Sequence, residues 1–449
     1  GDPHTLTAAC EPVRLVAGDD CIRISRRAGR KTLTYCGLPR DVFLPAAEDY
    51  QARFAVAGRV NPTQARRLRS ALQPEANRDL AGASPLELIA EGWSRWGERT
   101  AERLEDCFGL CIIDLTNGSA WVVADRFAQV PLHFAFTPHE LHVSNILHSV
   151  VAAKSAWEEF NDHAVADFLL FGHSRSFSAT IYQNIERLAP AHRLHWNGKA
   201  AAPARWWTLP IGNDEIAGDD QALAEELLQR LERAVTSARD QRPVGVLTSS
   251  GMDSTTIAAL AARNHGAEST LIATLDTPNH PDLSEVALSR RFASDLGLEH
   301  LTLASPSGAL FDQGAAGPWP APEPAWHQWN RVMLPGFRQL AGRVTLGMTG
   351  QGGDVILYPS PGFFLRCLKR GHWLRFASEW AKFSRTQPRR PAFGVRTALF
   401  GNPRFDDLPD LPRWFREDFA RQHELQARLT AYVDGQQTMR RDGHADRPE

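Results

Sequence analysis

Two short clusters, far apart in the chain, combine small residues with one carboxylate each. In Leu247-Thr248-Ser249-Ser250-Gly251-Met252-Asp253-Ser254 an apolar run ends and a helix-like stretch begins. Small residues there let the backbone approach an anion, and helix N-terminal amides point at it, which makes a phosphate cradle. It is not a Walker A loop, because the Gly-Lys-Ser/Thr ending is absent. Asp253 would repel phosphate on its own and makes sense if it holds a Mg²⁺ that bridges to phosphate oxygens. The plain alternative is an ordinary strand-to-helix turn with Ser250 or Asp253 as the helix cap. The second cluster, Thr349-Gly350-Gln351-Gly352-Gly353-Asp354, again follows an apolar run. Three glycines beside a carboxylate permit close backbone approach and an unobstructed ion, the alternative being a tight turn with an exposed Asp.

Both clusters need a scaffold that brings them to one place. Asp219 to Asp240 reads as an amphipathic helix. It is followed by a buried strand at Val244–Leu247 and an Ala-, Ile- and Leu-rich helix from Ser254 to Arg263. Next come a strand at Thr270–Leu275, a helix from Ser284 to Leu296, and strands at His300–Leu303 and Val344–Met348. Strands alternating with helices of this length predict a parallel sheet with helices on both faces, which holds ligands at strand C-terminal ends. The first 200 residues have another character. Short alternating runs lie at Phe54–Val60 and from Phe108 to Phe136, with the hairpin signal Asn117-Gly118, and helical spacing appears at Pro85–Leu104 and Asp162–Phe171. This part reads as α+β with antiparallel strands. The boundary is expected near residues 205 to 217, giving domains 1–205 and 206–449.

Composition narrows the class. A chain of 449 residues exceeds the ~100 to 200 of one domain. Its 43% hydrophobic and 23% charged residues suit a soluble globular protein. The formal charge of −2 is too balanced for a global footprint on nucleic acid or an anionic membrane, so neither is expected as a partner. No run approaches a membrane span and no signal segment opens the chain, so cytoplasmic localisation is expected. Gly1-Asp2-Pro3-His4 lacks an initiator Met and is kept out of the fold reading. Six cysteines form no CxxC pair, and Cys107 and Cys111 fall on one face of a strand, where packing is the simpler role. Single histidines such as His133, His192 and His327 suit surface or core positions better than ligation. The aromatic, Pro-broken stretch Pro318 to Trp329 suits either a substrate-facing loop or a loop packed on its own domain.

Ser249-Ser250-Gly251-Met252-Asp253-Ser254 resembles the Ser-Gly-Gly-x-Asp-Ser loop of the asparagine synthetase superfamily, with Ser250 at the first Gly. Thr349 to Asp354 resembles its Gly-Glu-Gly-x-Asp segment, with Gln351 at the Glu. Trp93–Gly97, Phe108–Asp114 and Ala124-Asp125-Arg126-Phe127-Ala128-Gln129-Val130-Pro131-Leu132 resemble its amidotransferase-like domain. The last of these is an altered Arg-Asp-x-x-Gly-x-x-Pro-Leu signature. Ile185 to Pro190 and Trp206-Trp207 resemble the join. The resemblance implies a degenerate Ntn-type amidotransferase-like domain of α+β class. Behind it would stand an α/β synthetase domain of the adenine-nucleotide α-hydrolase-like fold.

Glutamine-dependent members need an N-terminal Cys whose thiol attacks the amide and whose α-amine is the base. Gly1 stands at the start of this sequence and Cys10 is internal, so no glutaminase activity is expected. That points to members in which an amine already in the substrate attacks, namely β-lactam-type synthetases and lasso-peptide cyclases. Leu411-Pro412-Arg413-Trp414-Phe415 through Phe419-Ala420-Arg421 resembles a segment of the cyclases. The implied reaction is adenylation of an Asp or Glu side chain of a precursor peptide by ATP with Mg²⁺, then isopeptide closure by the peptide's N-terminal amine. The implied partners are that precursor peptide, a leader peptidase and a leader-binding protein. By this resemblance Asp253 and Asp354 hold Mg²⁺ and pyrophosphate, and Ser249, Ser250, Gly251 and Ser254 cradle the phosphates. The backbone at Leu247 and Thr274 meets adenine, and Thr349 and Gly350 meet the nucleotide. Gln351 could only hydrogen-bond the amine, so a base would come from elsewhere. For the family's charge-stabilising Lys the nearest candidate is Lys369, with a solvated helix residue or a substituting Arg as open alternatives.

Overall fold

The computed structural model describes residues 5–6, 13–18, 21–28, 31–37, 42–43, 53–60, 62–76, 79–105, 107–136, 140–152, 159–199, 201–210, 219–237, 243–276, 282, 284–303, 323, 329–353, 363–386 and 410–441. The first domain begins with β1 (Thr5–Leu6), β2 (Val13–Gly18), β3 (Cys21–Ala28), β4 (Lys31–Gly37), β5 (Val42–Phe43) and β6 (Phe54–Val60). Helices α1 (Pro62–Leu72) and α2 (Pro85–Trp96) lead to β7 (Phe108–Asp114), β8 (Ala120–Ala124), β9 (His133–Phe136) and β10 (Glu140–Ser144). After α3 (Leu147–Ala152) and α4 (Asp162–Phe171) come β11 (Glu186–Arg187), β12 (His192–Trp196) and β13 (Ala204–Arg205).

These strands form two sheets, in the orders β1-β2-β3-β4-β10-β9-β11 and β13-β12-β8-β7-β6-β5. One pairing departs from the expected antiparallel pattern: β4 and β10 run parallel. Central strand β7 is buried throughout and sends its residues alternately to two cores. Cys111 and Ile113 join Val122, Phe134, Leu141 and Leu194 between the sheets, whereas Phe108, Leu110 and Ile112 meet Leu68, Leu72, Leu88 and Ile89 of α1 and α2. Leu147 and Val150 of α3 cover Ala135 on the far side. The result is four layers, helix on sheet on sheet on helix. Cys111 is packing, as its sequence position suggested, and burial pushes its thiol up to about 12.

Local chemistry explains the boundaries. Ser84 and Glu87 cap α2 reciprocally, with Pro85 in the first turn. The β7–β8 turn is gathered by Asp114, which accepts hydrogen bonds from Thr116, Asn117 and Arg53, while Gly118 takes φ +77°. Burial alone would raise the Asp114 carboxyl, but the hydrogen bonds from Arg53 and Thr116 outweigh it and hold the group below its ordinary range.

The second domain runs α5 (Asp220–Ser237), β14 (Val244–Leu247), α6 (Met252–His265), β15 (Thr270–Leu275), α7 (Val286–Asp295), β16 (Glu299–Leu303), α8 (Trp329–Ala341) and β17 (Leu346–Thr349). Then follow α9 (Phe363–Lys369), α10 (Trp373–Thr386), α11 (Glu417–Gln422) and α12 (Leu425–Arg441). The sheet is parallel in the order β16-β15-β14-β17. One face packs on α5, α6 and α7 through Val235, Ala258, Ala261 and Ala293. The other meets Leu340 of α8. The connections through α6 and α7 build outward from β14, and the connection through α8 returns to its other side. Strand order therefore reverses between β14 and β17, the place where open α/β sheets bind ligands.

Candidate functional site

The two clusters leave the sheet at this reversal. Leu247 and Thr349 end β14 and β17 as paired residues of the parallel ladder. From Leu247 the chain turns through Thr248 to Gly251 and enters α6. The cap of α6 is Gly251, at φ −74° and ψ 157°, and it makes no side-chain cap hydrogen bond. Neither Ser250 nor Asp253 caps the helix; the cap position belongs to Gly251. Ser254 is buried and ties the loop from within. Its hydroxyl donates to the Ser249 carbonyl (2.8 Å) and accepts from the Ser249 amide (3.2 Å). Asp253 sits half-buried in the first turn, where the helix dipole favours a carboxylate. First-turn amides have no intrahelical partner, so this end of α6 offers donors to an anion.

The second cluster lies directly on the first. A Cβ added at Gly350 would fall 2.5 Å from the Ser254 nitrogen and 2.8 Å from its Cα, and one added at Gly353 would collide with the Asp253 carboxylate. Contact with backbone makes Gly350 a fixed requirement, whereas a side chain at 353 would push the Asp253 carboxylate aside. Gly352, at φ +94°, is required by backbone conformation. Asp354 lies outside the described residues. Gln351 is exposed, and its amide donates to the Thr349 hydroxyl at 3.3 Å. A hard carboxylate beside uncapped amides and a glycine-lined wall fits a magnesium polyphosphate.

Beneath the loop lies a ring of hydroxyls that sequence reading did not single out. The Thr248 and Ser289 hydroxyls are 2.6 Å apart, Thr274 donates to Ser289 at 2.6 Å, and Thr248 and Thr274 are 3.1 Å apart. All three residues are buried, and His300 Nε2 reaches the Thr274 hydroxyl at 3.2 Å. Burial, helped by the Arg290 charge, lowers the His300 pKa, which favours a neutral ring here. The Thr274 side chain is thus engaged near the C-terminal end of β15. Just before α7, Glu285 accepts a 2.8 Å hydrogen bond from the Ser250 hydroxyl. No spacing rule pairs residues 250 and 285; only the fold does so.

Lys369 is the last residue of α9; its side chain lies outside the described residues, as does the stretch 304–328 apart from Glu323. His133 is buried and His192 half-buried, its Nδ1 2.7 Å from the Pro190 carbonyl. In the first domain the Asp125–Leu132 signature forms a loop wound on Asp125, which accepts from the amides of Phe127, Gln129 and Phe108. Ala128 stands at the Gly of the family signature and still takes φ +49°. Trp206 donates to the Ala124 carbonyl (3.1 Å) and stacks on Phe108, pinning the chain as it leaves the domain.

Residues 226–447 match the Asparagine synthase family, and residues 46–207 match the Glutamine amidotransferase domain family. Putative glutamine-hydrolyzing asparagine synthetases of Mycobacterium bovis and Mycobacterium tuberculosis are 24% identical over 288 residues, 60% of this chain. The chain spans 42% of the length of these relatives. A solved glutamine phosphoribosylpyrophosphate amidotransferase from B. subtilis, complexed with ADP and GMP, overlaps loosely, with 14% identity and a TM-score of 0.28 over 74% of this chain and 84% of that one. The chain is thus similar to a Glutamine amidotransferase domain over residues 46–207 and to Asparagine synthase over residues 226–447, and the glycine clusters at the sheet reversal fall within the second of these matches.

Proposed function

We propose that this protein is an ATP-dependent carbon-nitrogen ligase that closes a macrolactam, adenylating an Asp or Glu side chain of a precursor peptide for attack by the peptide's own N-terminal amine. The observation that carries the nucleotide part is the seating of Gly350 and Gly353 against Ser254 and Asp253, at the mouth of a helix whose amides are uncapped. Asp253, with Asp354, would hold Mg²⁺, which supplies charge neutralisation at the phosphates. Ser249, Ser250, Gly251 and Ser254 would orient the polyphosphate. The C-terminal end of the sheet at Leu247 and Thr274 would receive the base, beside Thr349 and Gly350. Lys369 would stand nearest the reacting phosphate among the lysines after the second cluster, and Gln351 would hydrogen-bond the incoming amine. Holding amine and activated acyl group together while excluding water supplies much of the acceleration in such reactions. The Leu411–Arg421 segment supports the cyclase branch. A leader peptidase and a leader-binding protein are the proposed partners, in the cytoplasm.

A second reading is amidation of free aspartate by ammonia; the mycobacterial relatives, named as glutamine-hydrolyzing asparagine synthetases, support its product but not its nitrogen source. One assay separates the two. Release of AMP and pyrophosphate that requires the cognate peptide, and is abolished by Asp253→Ala, supports the macrolactam reading. Release from aspartate and ammonium without peptide replaces it by the second. Nucleotide binding with no turnover on either substrate set would leave a non-catalytic scaffold of a peptide-maturation complex.

A further inference from the structure

The phosphate loop carries Ser250 where similar loops carry glycine, so a hydroxymethyl group stands where an open backbone is wanted. In the structure that hydroxyl is taken up by Glu285 Oε1 at 2.8 Å. Glu285 belongs to the start of α7, which packs on β15 and β16. The glycines of the second cluster reach Asp253 and Ser254 from β17, on the opposite side of β14. The Ser250 side chain is therefore drawn to one flank of the loop while the glycine wall closes on the other. One turn further along α7, Ser289 holds Thr248 through the buried hydroxyl ring. A single helix thus grips the loop at both Thr248 and Ser250.

We propose that Glu285 is a positioning residue for the phosphate loop, acting through Ser250: it holds the hydroxymethyl aside so that backbone amides, and not the side chain, line the anion cradle. This rests on the nucleotide reading above. The Ser250–Glu285 bond faces solvent, so it adds little to overall stability, and its effect falls on the shape of the cradle. Glutamine at position 285 keeps an acceptor oxygen for the same bond, whereas alanine does not.

The test is Mg-ATP binding to the full chain by isothermal titration calorimetry, with circular dichroism confirming the fold of each variant. Glu285→Ala is expected to weaken binding by about twofold to fivefold, the scale of one solvent-exposed hydrogen bond, and Glu285→Gln to restore most of it. In a Ser250→Gly background, Glu285→Ala is expected to change nothing, because no side chain is left to hold. Equal weakening in both backgrounds, or none with Ser250 present, overturns the proposal while leaving the nucleotide reading intact. A wild-type chain that takes up no Mg-ATP overturns both. Should Glu285→Ala fail to fold, Glu285→Leu, which likewise has no acceptor, gives the same cycle: its effect must vanish in the Ser250→Gly background.

Discussion

At position 353 the absence of a side chain is what lets a carboxylate and a backbone share one place. Gly353→Ala drives a methyl into Asp253 and must displace the carboxylate, so Mg-ATP affinity is expected to fall at least about tenfold, a loss of roughly 1.4 kcal/mol, with little change in melting temperature. Calorimetry with Mg-ATP and a thermal melt check the two halves of that statement. The opposite case is Ala128, held at φ +49° by the loop wound on Asp125. A Cβ in the left-handed region costs about 1 to 2 kcal/mol, so Ala128→Gly is expected to stabilise the protein by about 1 kcal/mol after the entropy of the freer unfolded chain is subtracted. The urea midpoint should rise. Both effects follow from where one methyl group sits.

Most elements announced themselves through periodicity. The hairpin at Asn117-Gly118, the strand at Thr270–Leu275 and the helices around Asp220 and Met252 lie where apolar spacing puts them. Sequence reading passed over β2 to β4, although Cys21-Ile22-Arg23-Ile24-Ser25 and Lys31-Thr32-Leu33-Thr34-Tyr35 alternate polar and apolar residues as a half-buried strand does. Strand β17 starts two residues later than the apolar run suggests, because Val344 faces α8 from the turn before it. The two glycine clusters could be read in advance because small residues next to carboxylates are chemically conspicuous. The hydroxyl ring of Thr248, Thr274 and Ser289 could not, because ordinary hydroxyls on three elements become a network only once the sheet is built. Strand β9 gives a test at this scale. Burial of His133, aided by the Arg187 charge and opposed by a backbone hydrogen bond at Ser144, lowers its pKa to about 4. The unfolded ring protonates near 6.5, so between pH 6.5 and 4 the unfolded chain binds more protons than the folded one. The neutral ring's contribution is therefore complete above pH 6.5 and is lost as pH falls toward 4, by up to roughly 3 kcal/mol. His133→Phe should flatten the melting temperature across that window.

The molecule as a whole is tied across its two domains at identifiable points. Glu323, in the connection between β16 and α8, accepts a hydrogen bond from the Ile181 amide at 3.0 Å and pairs with Arg187 at 2.6 Å. Near the C-terminal end, Arg428 of α12 pairs with buried Asp167 of α4 at 3.1 Å. Glu323→Ala leaves an amide and a half-covered guanidinium without this partner and is expected to cost about 1 to 3 kcal/mol. Glu323→Gln should cost less because it keeps an acceptor. Urea melts of the two variants should separate accordingly. Among the described residues no helix is long and apolar enough to cross a membrane.

The anchor at Glu323 reaches further than stability. Glu323 stands six residues before α8, whose chain continues into β17 and then the glycine wall, so the front half of the protein moors one point on the connection that leads to Gly350 and Gly353. Grafting the synthase half onto a foreign amidotransferase half would cast off that mooring, and ligand uptake would then change although no residue that touches the ligand had been altered.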